Sequence, residues 1–474
     1  MTELVGFIGS AHTDRSLNFD AQRCINLYPI VSSSGTAKSK AKLASTPGTE
    51  IWLDKSGSAQ QSVRGMWVFD DNSLFVVMTT EVYRITRGKV VTLIGTIPYA
   101  VTPVCMCSNG LTVVFATGPQ MFIINPATNT MTEFVNGAFT GATGVWFVNG
   151  SYAFNQPGTS KFWVMDVYST VLDPLNFATA EGAPDGLVNL VVNHQEIWLF
   201  GTATVEVWAN NGSALFPYGR LDGVYIEQGC IAPYSIARMD DSIFWLSANT
   251  NGEGLIFRTV GYQLKKVSTG SLEQAIATYS YIDDAIAYCY QQEGHHFYMI
   301  SFPSADVTWA YDSTTDTWHQ RAYTSSSGQI GRHRSQCQAF FDRKTLVGDW
   351  ATGRIYWMDT SFVQDVGQPL LRLRSAPYVA AEMTRIPHTS IQFDMETGVG
   401  TATGQGSDPV AMLRWSDDGG HTWSNQRTKS IGKVGEYKTR TRFTRLGQSR
   451  GRVYELSITD PVKVTLISAN LNVQ

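Results

Sequence analysis

Short runs of aromatic and β-branched residues, separated by turn-forming Ser, Asp, Asn and Pro, fill most of the chain. The stretch His296–Arg321 shows the unit most completely: Phe297–Phe302 and Thr308–Tyr311 are predicted strands, and Ser304–Asp306 is a break between them. A third predicted strand starts at Thr317. Runs of this kind are typical of antiparallel strands joined by tight turns. The pattern therefore predicts a meander of short strands.

The same unit recurs along the chain with a nearly constant period. Its hydrophobic third-strand clusters return every 39 to 54 residues, and about 40–50 residues is the length of a four-stranded propeller blade. The spacing predicts an all-β fold, a β-propeller of about six or seven blades, with a stacked β-solenoid or two successive sandwiches as alternatives. The clusters are Val82–Ile85, Phe122–Ile124, Phe162–Val164, Val205–Trp208, Leu255–Phe257, Trp309–Tyr311 and Ile355–Trp357.

The pattern changes near Val379, where evenly spaced strands of alternating character replace the blade repeat. We expect a small C-terminal β-sandwich there. The predicted layout is an N-terminal arm with the first strand or strands over 1–60, a β-propeller over 61–372, and the sandwich over 373–474. The predicted sandwich strands are Ile391–Phe393, Met412–Trp415, Lys438–Phe443, Arg452–Ile458 and Val462–Ser468.

Five further segments complete the prediction. Cys24–Tyr28 is predicted as one strand, and Ser32–Lys42 as a loop because it has little apolar surface to bury. Ser271–Tyr279 is the best candidate for a helix. Asp166–Asp185 and Asp359–Tyr378 are insertions, and insertions on a propeller surface commonly make contacts.

Composition favours a component of an assembly. Charged residues make up 16% of the 474-residue chain, whereas about a quarter is usual for a soluble domain. The net charge of −4 is unevenly spread: residues 401–452 hold ten Lys/Arg and four Asp/Glu, a balance of +6, which leaves −10 elsewhere. A basic module of this kind suggests docking to an acidic partner or a polyanion. A solvated β-surface rich in Arg and Thr is the alternative.

The sharpest local motif is an Asp box over residues 416–423. In such a hairpin turn the Asp oxygens accept backbone N–H bonds, Gly supplies permissive dihedral angles, and Trp is expected to fill the underlying core. Asp boxes also occur in sialidase-like propellers, but glycoside hydrolysis needs a defined pair of carboxylates, and the sequence singles out none. We interpret the motif as a structural turn formed by Ser416, Asp418, Gly420, Thr422 and Trp423.

Three basic residues of the C-terminal module, Lys438, Arg440 and Arg442, are spaced two apart. On a strand they project to one side, which predicts a basic docking surface. A positive stripe of this kind could meet duplex DNA, since phosphate contacts are collectively strong, or an acidic neighbouring protein. The hypothesis favoured here is docking to a protein.

No motif of catalysis or metal binding is found. The six cysteines lack the paired spacing of a zinc site, and P-loop, nucleophile-elbow and dinucleotide motifs are absent. Arg372, Arg374 and Arg385 are interpreted either as an anion site or as cover for apolar surface. We expect no enzyme activity, no cofactor and no metal. The N-terminal sequence is not that of a signal peptide, and no stretch approaches the roughly 20 apolar residues of a membrane span.

A longer series of motifs resembles a known family, the packaged-DNA stabilisation proteins of short-tailed bacteriophages, also called tail accessory factors or tail hub proteins. The close match covers about Gly182–Tyr279, and looser similarity includes Ile25–Pro29, Thr46–Gly48 and the Asp-box strand pair. The motifs of the close match are Pro184–Gly186, Glu196–Gly201, Val205–Trp208, Ile226–Cys230, Ala232–Pro233, Val260–Tyr262, Val267–Thr269 and Leu272–Ile276.

The resemblance implies a structural protein of the virion tail, made in the cytoplasm of the host bacterium. It implies a ring, expected to be a homo-hexamer, attached below the portal and its head-to-tail adaptor. Further implied partners are the tail needle and the tailspike or tail fibre proteins. Packaged double-stranded DNA would pass through the channel without sequence-specific recognition, and no membrane insertion is expected. A carbohydrate-active or carbohydrate-binding, sialidase-like propeller is the alternative function.

Overall fold

The computed structural model describes residues 2–34, 36–57, 61–213, 216–381 and 383–473. Over these ranges the chain is built almost wholly of β-strands, and they form a propeller and a sandwich. The predicted all-β fold with these two domains is confirmed.

Seven four-stranded antiparallel units follow one another in the described part of the chain, and we number them blades 1 to 7. Each of the seven hydrophobic clusters lies in the third strand of its blade, because that strand packs against both neighbouring blades. The strands of blades 1 to 4 are Val63–Val68, Leu74–Met78, Glu81–Ile85, Val91–Thr96; Cys105–Ser108, Val113–Ala116, Met121–Asn125, Thr130–Glu133; Val145–Val148, Ser151–Asn155, Lys161–Val164, Phe177–Thr179; Leu187–Asn193, Glu196–Gly201, Val205–Asn210 and Tyr218–Ile226.

The last blade is completed by a strand from the other end of the chain. Gly48–Asp54 pairs antiparallel with Arg354–Asp359 and supplies the outermost strand of blade 7. The first strand of blade 7 in turn contacts the first strand of blade 1, so the ring is closed. In a closed ring of blades the remaining sheet edges are short and protected. The strands of blades 5 to 7 are Ala237–Met239, Ser242–Ala248, Gly254–Val260, Gln263–Lys266; Ile286–Gln292, His295–Phe302, Val307–Asp312, Thr317–Thr324; Ser335–Phe341, Lys344–Asp349, Arg354–Asp359 and Gly48–Asp54.

Every pair of neighbouring blades encloses its own apolar core. Between blades 1 and 2, for example, Phe75 and Val77 pack with Phe115 and Phe122. Alternate residues of one strand therefore serve two different cores. This is why the central strands of the blades are apolar on both faces instead of showing a polar side.

The sandwich combines strands from both ends of the chain. One sheet has the order Thr441–Thr444, Ile386–Met395, Thr465–Val473, Ala41–Ser45 and Leu27–Val31, with Thr2–Glu3 and Gln448–Ser449 paired at its side. The other sheet continues outward from the last strand of blade 6, so that propeller and sandwich share one eleven-stranded sheet. After that blade strand come Cys24–Ile25, Arg372–Ser375, Gly451–Ile458, Val410–Ser416 and Arg427–Ser430, with Val379–Ala380 beside Gly451–Ile458.

Asn26 breaks the strand that was predicted over Cys24–Tyr28. Its φ of 51° turns the chain from one sheet of the sandwich to the other. The buried side chain donates hydrogen bonds to Ala322 O and Leu371 O and accepts one from Ala322 N, at 2.9–3.0 Å. The prediction of a single strand was wrong because these partners lie about 300 residues away and leave no local sign.

The remaining elements are short. The predicted helix forms as Gly270–Ile276, capped by the Thr269 hydroxyl, and is shorter than the predicted Ser271–Tyr279. Two 3₁₀ turns and five small strands complete the fold. They are Pro233–Ser235, Pro303–Ala305, His12–Thr13, Ala21–Gln22, Ile330–Arg332, Gln364–Asp365 and Gln368–Pro369.

Candidate docking surfaces

The Asp-box hairpin follows the strand Val410–Ser416. The Ser416 hydroxyl donates to Asp418 Oδ1 at 2.6 Å, and the Gly420 N–H donates to Ser416 Oγ at 2.7 Å. Thr422 donates through its N–H and its hydroxyl to the two Asp418 oxygens, at 2.8 and 2.6 Å. The hydroxyls of Ser416 and Thr422 hold the pKa of Asp418 well below its ordinary value. Asp418 is thus a hydrogen-bonded turn residue, as its spacing indicates.

Trp423 does not fill a core, and that part of the prediction was wrong. Its ring is half-buried and lies under the Arg414 guanidinium, 4.5 Å from ring centroid to guanidinium carbon. A Cβ added at Gly420 would first meet the Trp423 ring, at 3.7 Å, and then Leu17 and Ala21, at 3.9 and 4.0 Å. The turn therefore packs against both its own tryptophan and the N-terminal segment.

The second carboxylate of the hairpin is also engaged. Arg452 donates to both Asp417 oxygens, from Nε at 2.5 Å and from Nη2 at 2.9 Å. The Arg452 side chain is buried against Tyr454. Neither aspartate of the hairpin is therefore placed for acid–base chemistry.

The three predicted docking residues are all exposed but do not share a strand. The strand predicted over Lys438–Phe443 begins only at Thr441, so the two-residue spacing of Lys438 and Arg440 does not put them on one side of a sheet. Arg442 is on the strand, and its Nη2 donates to Ser390 Oγ at 2.9 Å. The docking surface itself stays a prediction.

Lys438 and Arg440 belong to a basic loop, which we define as residues 432–440. Hydrogen bonds from Gly435 N to Gly398 O, at 3.3 Å, and from Thr397 Oγ1 to Tyr437 O, at 3.0 Å, fix its backbone. Val434 and Tyr437 are 61% and 75% exposed. Residues 427–445 contain seven Lys/Arg and one Glu. The loop thus presents apolar side chains within a dense positive field.

A second exposed apolar segment lies in blade 3, within the predicted insertion Asp166–Asp185. We call residues 166–176, between the third and fourth strands of the blade, the rim loop. Buried Leu172 anchors it in the core between blades 2 and 3, and the Tyr168 N–H donates to Gly150 O at 2.7 Å. Its outward side chains are 59–79% exposed: Val167, Tyr168, Val171 and Leu175.

The two arginines at the start of the sandwich fit neither predicted role. Arg374 is fully buried and donates to the carbonyl oxygens of Gly6, Phe7 and Ser10 at 2.8–2.9 Å. Arg372 likewise donates to Val363 O and Asp460 O at 2.9 Å. Burial lowers the pKa of both guanidinium groups. They join loop backbones to the sandwich, whereas the third arginine of that prediction, Arg385, is exposed.

A buried polar cluster that no sequence pattern predicts lies where blades 6 and 7 meet the sandwich. Arg321 donates from Nη2 to Pro47 O at 3.1 Å and lies 3.0 Å from His333 Nε2. Asp365 accepts a 3.1 Å hydrogen bond from the Thr49 hydroxyl, and burial raises the pKa of its carboxyl to about 6. Residues more than 270 apart in the chain form this cluster.

The propeller channel holds a cavity of about 280 Å³ lined mainly by the first strands of the blades. Arg64 reaches it and donates to Thr102 O at 2.6 Å and to Thr79 O at 3.1 Å. Burial raises the pKa of the nearby Tyr234 hydroxyl to about 12. The residues that line this cavity include no Asp or Glu. Nothing in it supports the carbohydrate-active alternative, which needs a carboxylate pair.

Within the described ranges of the chain, no group of three or more His, Cys, Asp or Glu side chains is placed to hold a metal ion. None of the helices in the same ranges has the length and apolar character needed to cross a membrane.

Comparison with known families covers nearly the whole chain. The family model described as "Bacteriophage P22 Gp10, beta-propeller" matches residues 5–363, and the one described as "Bacteriophage P22 Gp10, beta-sandwich" matches residues 372–474. Among curated proteins, the "Tail hub protein gp10" of Salmonella phage P22 is 22% identical over 161 residues. That match spans 33% of this chain and a third of the length of the relative.

Two solved structures are similar at low identity. The WD40 β-propeller domain of Doa1 aligns with a TM-score of 0.41 and 12% identity over 66% of this chain and 97% of that one. The structure of U3-55K aligns with a TM-score of 0.39 and 10% identity over 66% of this chain and 98% of that one.

Proposed function

Since this chain belongs to the bacteriophage P22 Gp10 family, we propose that it is a structural hub protein of a phage tail. The observation that carries the proposal is the match of both domains, in order, to the two domains of that family. In finer detail, the hub attaches below the portal and its adaptor and helps to retain the packaged DNA. It also anchors the distal proteins of the tail, as a ring of identical subunits.

The architecture suits a structural protein whose two domains must stay rigidly connected. The propeller is closed by a strand from the opposite end of the chain, and its blade 6 shares one continuous sheet with the sandwich. Backbone hydrogen bonds therefore cross the boundary between the domains, and the two domains are not joined by a linker alone. Buried Arg372 and Arg374 fasten further loops to this boundary. A rigid body of this kind holds its docking surfaces at fixed positions.

Docking through the basic residues is the testable part of the proposal. We propose that Lys438, Arg440 and Arg442 contact an acidic neighbouring protein of the tail. The triple substitution to Glu should abolish binding of the purified chain to tail-less, DNA-filled heads, because like charges would then meet across the contact. Co-sedimentation with the heads measures binding, and circular dichroism verifies that the variant is folded.

A matched control changes the charge equally elsewhere. Lys40, Lys42 and Arg343 are exposed, and their triple substitution to Glu should leave binding unchanged. If the docking variant binds normally but the heads lose nuclease-protected DNA, the basic residues contact DNA instead. If it binds and retains DNA like the wild type, these residues form no docking surface.

A further inference from the structure

The basic loop and the rim loop lie at opposite ends of the molecule. The strands flanking the basic loop, Arg427–Ser430 and Thr441–Thr444, are the far edge strands of the two sandwich sheets. In the shared sheet, Arg427–Ser430 is five strands beyond the last strand of blade 6, or roughly 24 Å at the usual strand spacing. The basic loop is thus the end of the sandwich farthest from the propeller.

The rim loop occupies the other end. In a ring of seven blades, blade 3 is three steps from blade 6 and three steps from blade 7. The sandwich is attached at blades 6 and 7, through Cys24–Ile25 and Gly48–Asp54. The rim loop therefore lies across the propeller from the sandwich, at the opposite end of the long axis.

The two ends have complementary charge and similar apolar content. Residues 90–219 contain seven Asp/Glu but only one basic residue, Lys161. The rim loop itself includes Asp166 and Asp173 and no Lys or Arg. The basic loop has the opposite charge and presents Val434 and Tyr437. Apolar patches bordered by opposite charge are the composition expected of two surfaces that meet.

We propose that the acidic neighbour of the basic loop is a second copy of this chain, and that the rim loop of that copy docks on the basic loop. The contact joins two different surfaces, so each copy keeps one free end of each kind. Such a head-to-tail contact builds rings or open filaments, whereas a contact between identical surfaces stops at a dimer. This inference rests on the proposed hub function, to which it adds the surfaces that join the subunits.

Cysteine cross-linking tests the pairing directly. Leu175→Cys and Tyr437→Cys each place a thiol on one exposed loop, and the wild-type chain serves as control for the six native cysteines. With a short bismaleimide, a mixture of the two variants should give cross-linked dimers, while neither variant alone should do so above the wild-type level. The double variant should give a ladder of multimers. The reaction is run on the purified chain and on heads loaded with it.

Charge reversal in the two loops provides a second test of the pairing. Asp166→Lys with Asp173→Lys should reduce mixed cross-linking roughly tenfold or more, because the rim loop would then repel the basic loop. Lys438→Glu with Arg440→Glu in the partner chain should restore it. In blade 1, Val90→Ser with Leu93→Ser removes apolar side chains of similar exposure and should leave cross-linking unchanged.

The outcomes separate this inference from the proposed function. Cross-linking within Leu175→Cys alone, or none in the mixture on loaded heads, overturns the head-to-tail contact while the hub function stands. If the chain fails to load on heads but the mixture cross-links in solution, the hub function fails and the contact is upheld. If cross-linking is equal in the charge-reversed and wild-type chains, the assignment of these two loops is wrong.

Discussion

The propeller and the sandwich are both all-β, but they differ in how far their partners are separated along the chain. In blades 1 to 6 each strand pairs with the strand that precedes or follows it. In the sandwich, Leu43 pairs with Leu466, and Ile25 pairs with Leu373. One domain is a series of local hairpins, whereas the other is assembled from the two ends of the chain.

The cores show the same difference. Five of the seven cores between blades come from two blades that follow each other in the sequence. The core between blades 7 and 1 joins the two ends of the propeller sequence, and the core between blades 6 and 7 also includes Tyr28. The sandwich core, by contrast, combines Phe7, Cys24 and Leu27 with residues between 376 and 471. Since a non-local core exists only when both contributors are present, the sandwich should depend on the N-terminal segment much more than the propeller, in which that segment adds Tyr28, Ile30 and Ala44 to one core.

Deletion of residues 2–46 should give the largest effect, because it tests directly whether the sandwich needs the N-terminal segment more than the propeller does. The deletion removes four sandwich strands, Thr2–Glu3, Cys24–Ile25, Leu27–Val31 and Ala41–Ser45, but keeps Gly48–Asp54, which closes blade 7. We expect an unfolded sandwich beside a folded propeller. Limited proteolysis with mass spectrometry should show loss of residues 383–473 and survival of the blades.

The control for this deletion is the removal of Thr2 and Glu3 alone, an exposed strand whose loss should leave both domains resistant to protease. A protease-resistant sandwich in the longer deletion would contradict the dependence on the N-terminal segment.

Asp365→Asn should give the next largest effect, and it probes the boundary between the two domains. The folded-state pKa of Asp365 is about 6, above the roughly 3.9 of an unfolded chain. The folded protein therefore binds an extra proton between about pH 4 and 6, and this contribution to stability is lost as the pH rises through 6. Asn reproduces the protonated form, so the variant should be about 2–3 kcal/mol more stable than the wild type at pH 7.5.

Buried histidines have the opposite effect on the pH dependence of stability, and they make the contribution of Asp365 easier to recognise. Burial lowers the pKa of His319 to about 3 and of His388 to about 4, and it also holds the pKa of His333 well below its ordinary value. Because the unfolded chain binds protons first below about pH 6.5, stability falls as the pH decreases. Without Asp365 that decrease should be steeper.

Urea unfolding of Asp365→Asn and wild type at pH 7.5 and 4.5 measures the difference, with exposed Asp283→Asn as control. If the variant and the wild type differ by the same unfolding free energy at pH 7.5 and at pH 4.5, Asp365 keeps its charge in the folded protein at both pH values, which would contradict the raised pKa.

Asp418→Ala should give the smallest effect. It concerns the Asp-box turn of the sandwich, whose hydrogen bonds join residues close together in the sequence. The substitution removes the acceptor of the Ser416 and Thr422 hydrogen bonds. We expect a modest decrease in melting temperature that is smaller at pH 2.5 than at pH 7.5, since the unfolded chain binds a proton at this position below about pH 4 and part of the stabilisation is then lost. Differential scanning fluorimetry at pH 7.5 and 2.5 measures it, with Asp283→Ala as control. An unchanged melting temperature at pH 7.5 would contradict a stabilising turn.

The sequence predicts what depends on neighbours along the chain. Third strands of the blades and the Asp-box hydrogen bonds arise from residues within a few positions of one another, so spacing reveals them. The strand predicted over Lys438–Phe443 begins only at Thr441, because Gly432 and Gly435, with φ of 99° and 85°, form a turn before Arg440. The partners of Arg374 and Asn26 lie about 300 or more residues away, and no local pattern indicates them.

The pairing of Gly48–Asp54 with Arg354–Asp359 also imposes an order on biosynthesis. Blade 1 can fold as soon as it leaves the ribosome, but the strand that precedes it must wait for blade 7. At roughly 5–20 residues per second, translation of the intervening 300 or so residues takes about 15–60 s. During this interval Trp52 of the closing strand, and Leu27 and Leu43 of the sandwich, have no core to enter. The nascent chain therefore exposes its N-terminal segment until synthesis is nearly complete.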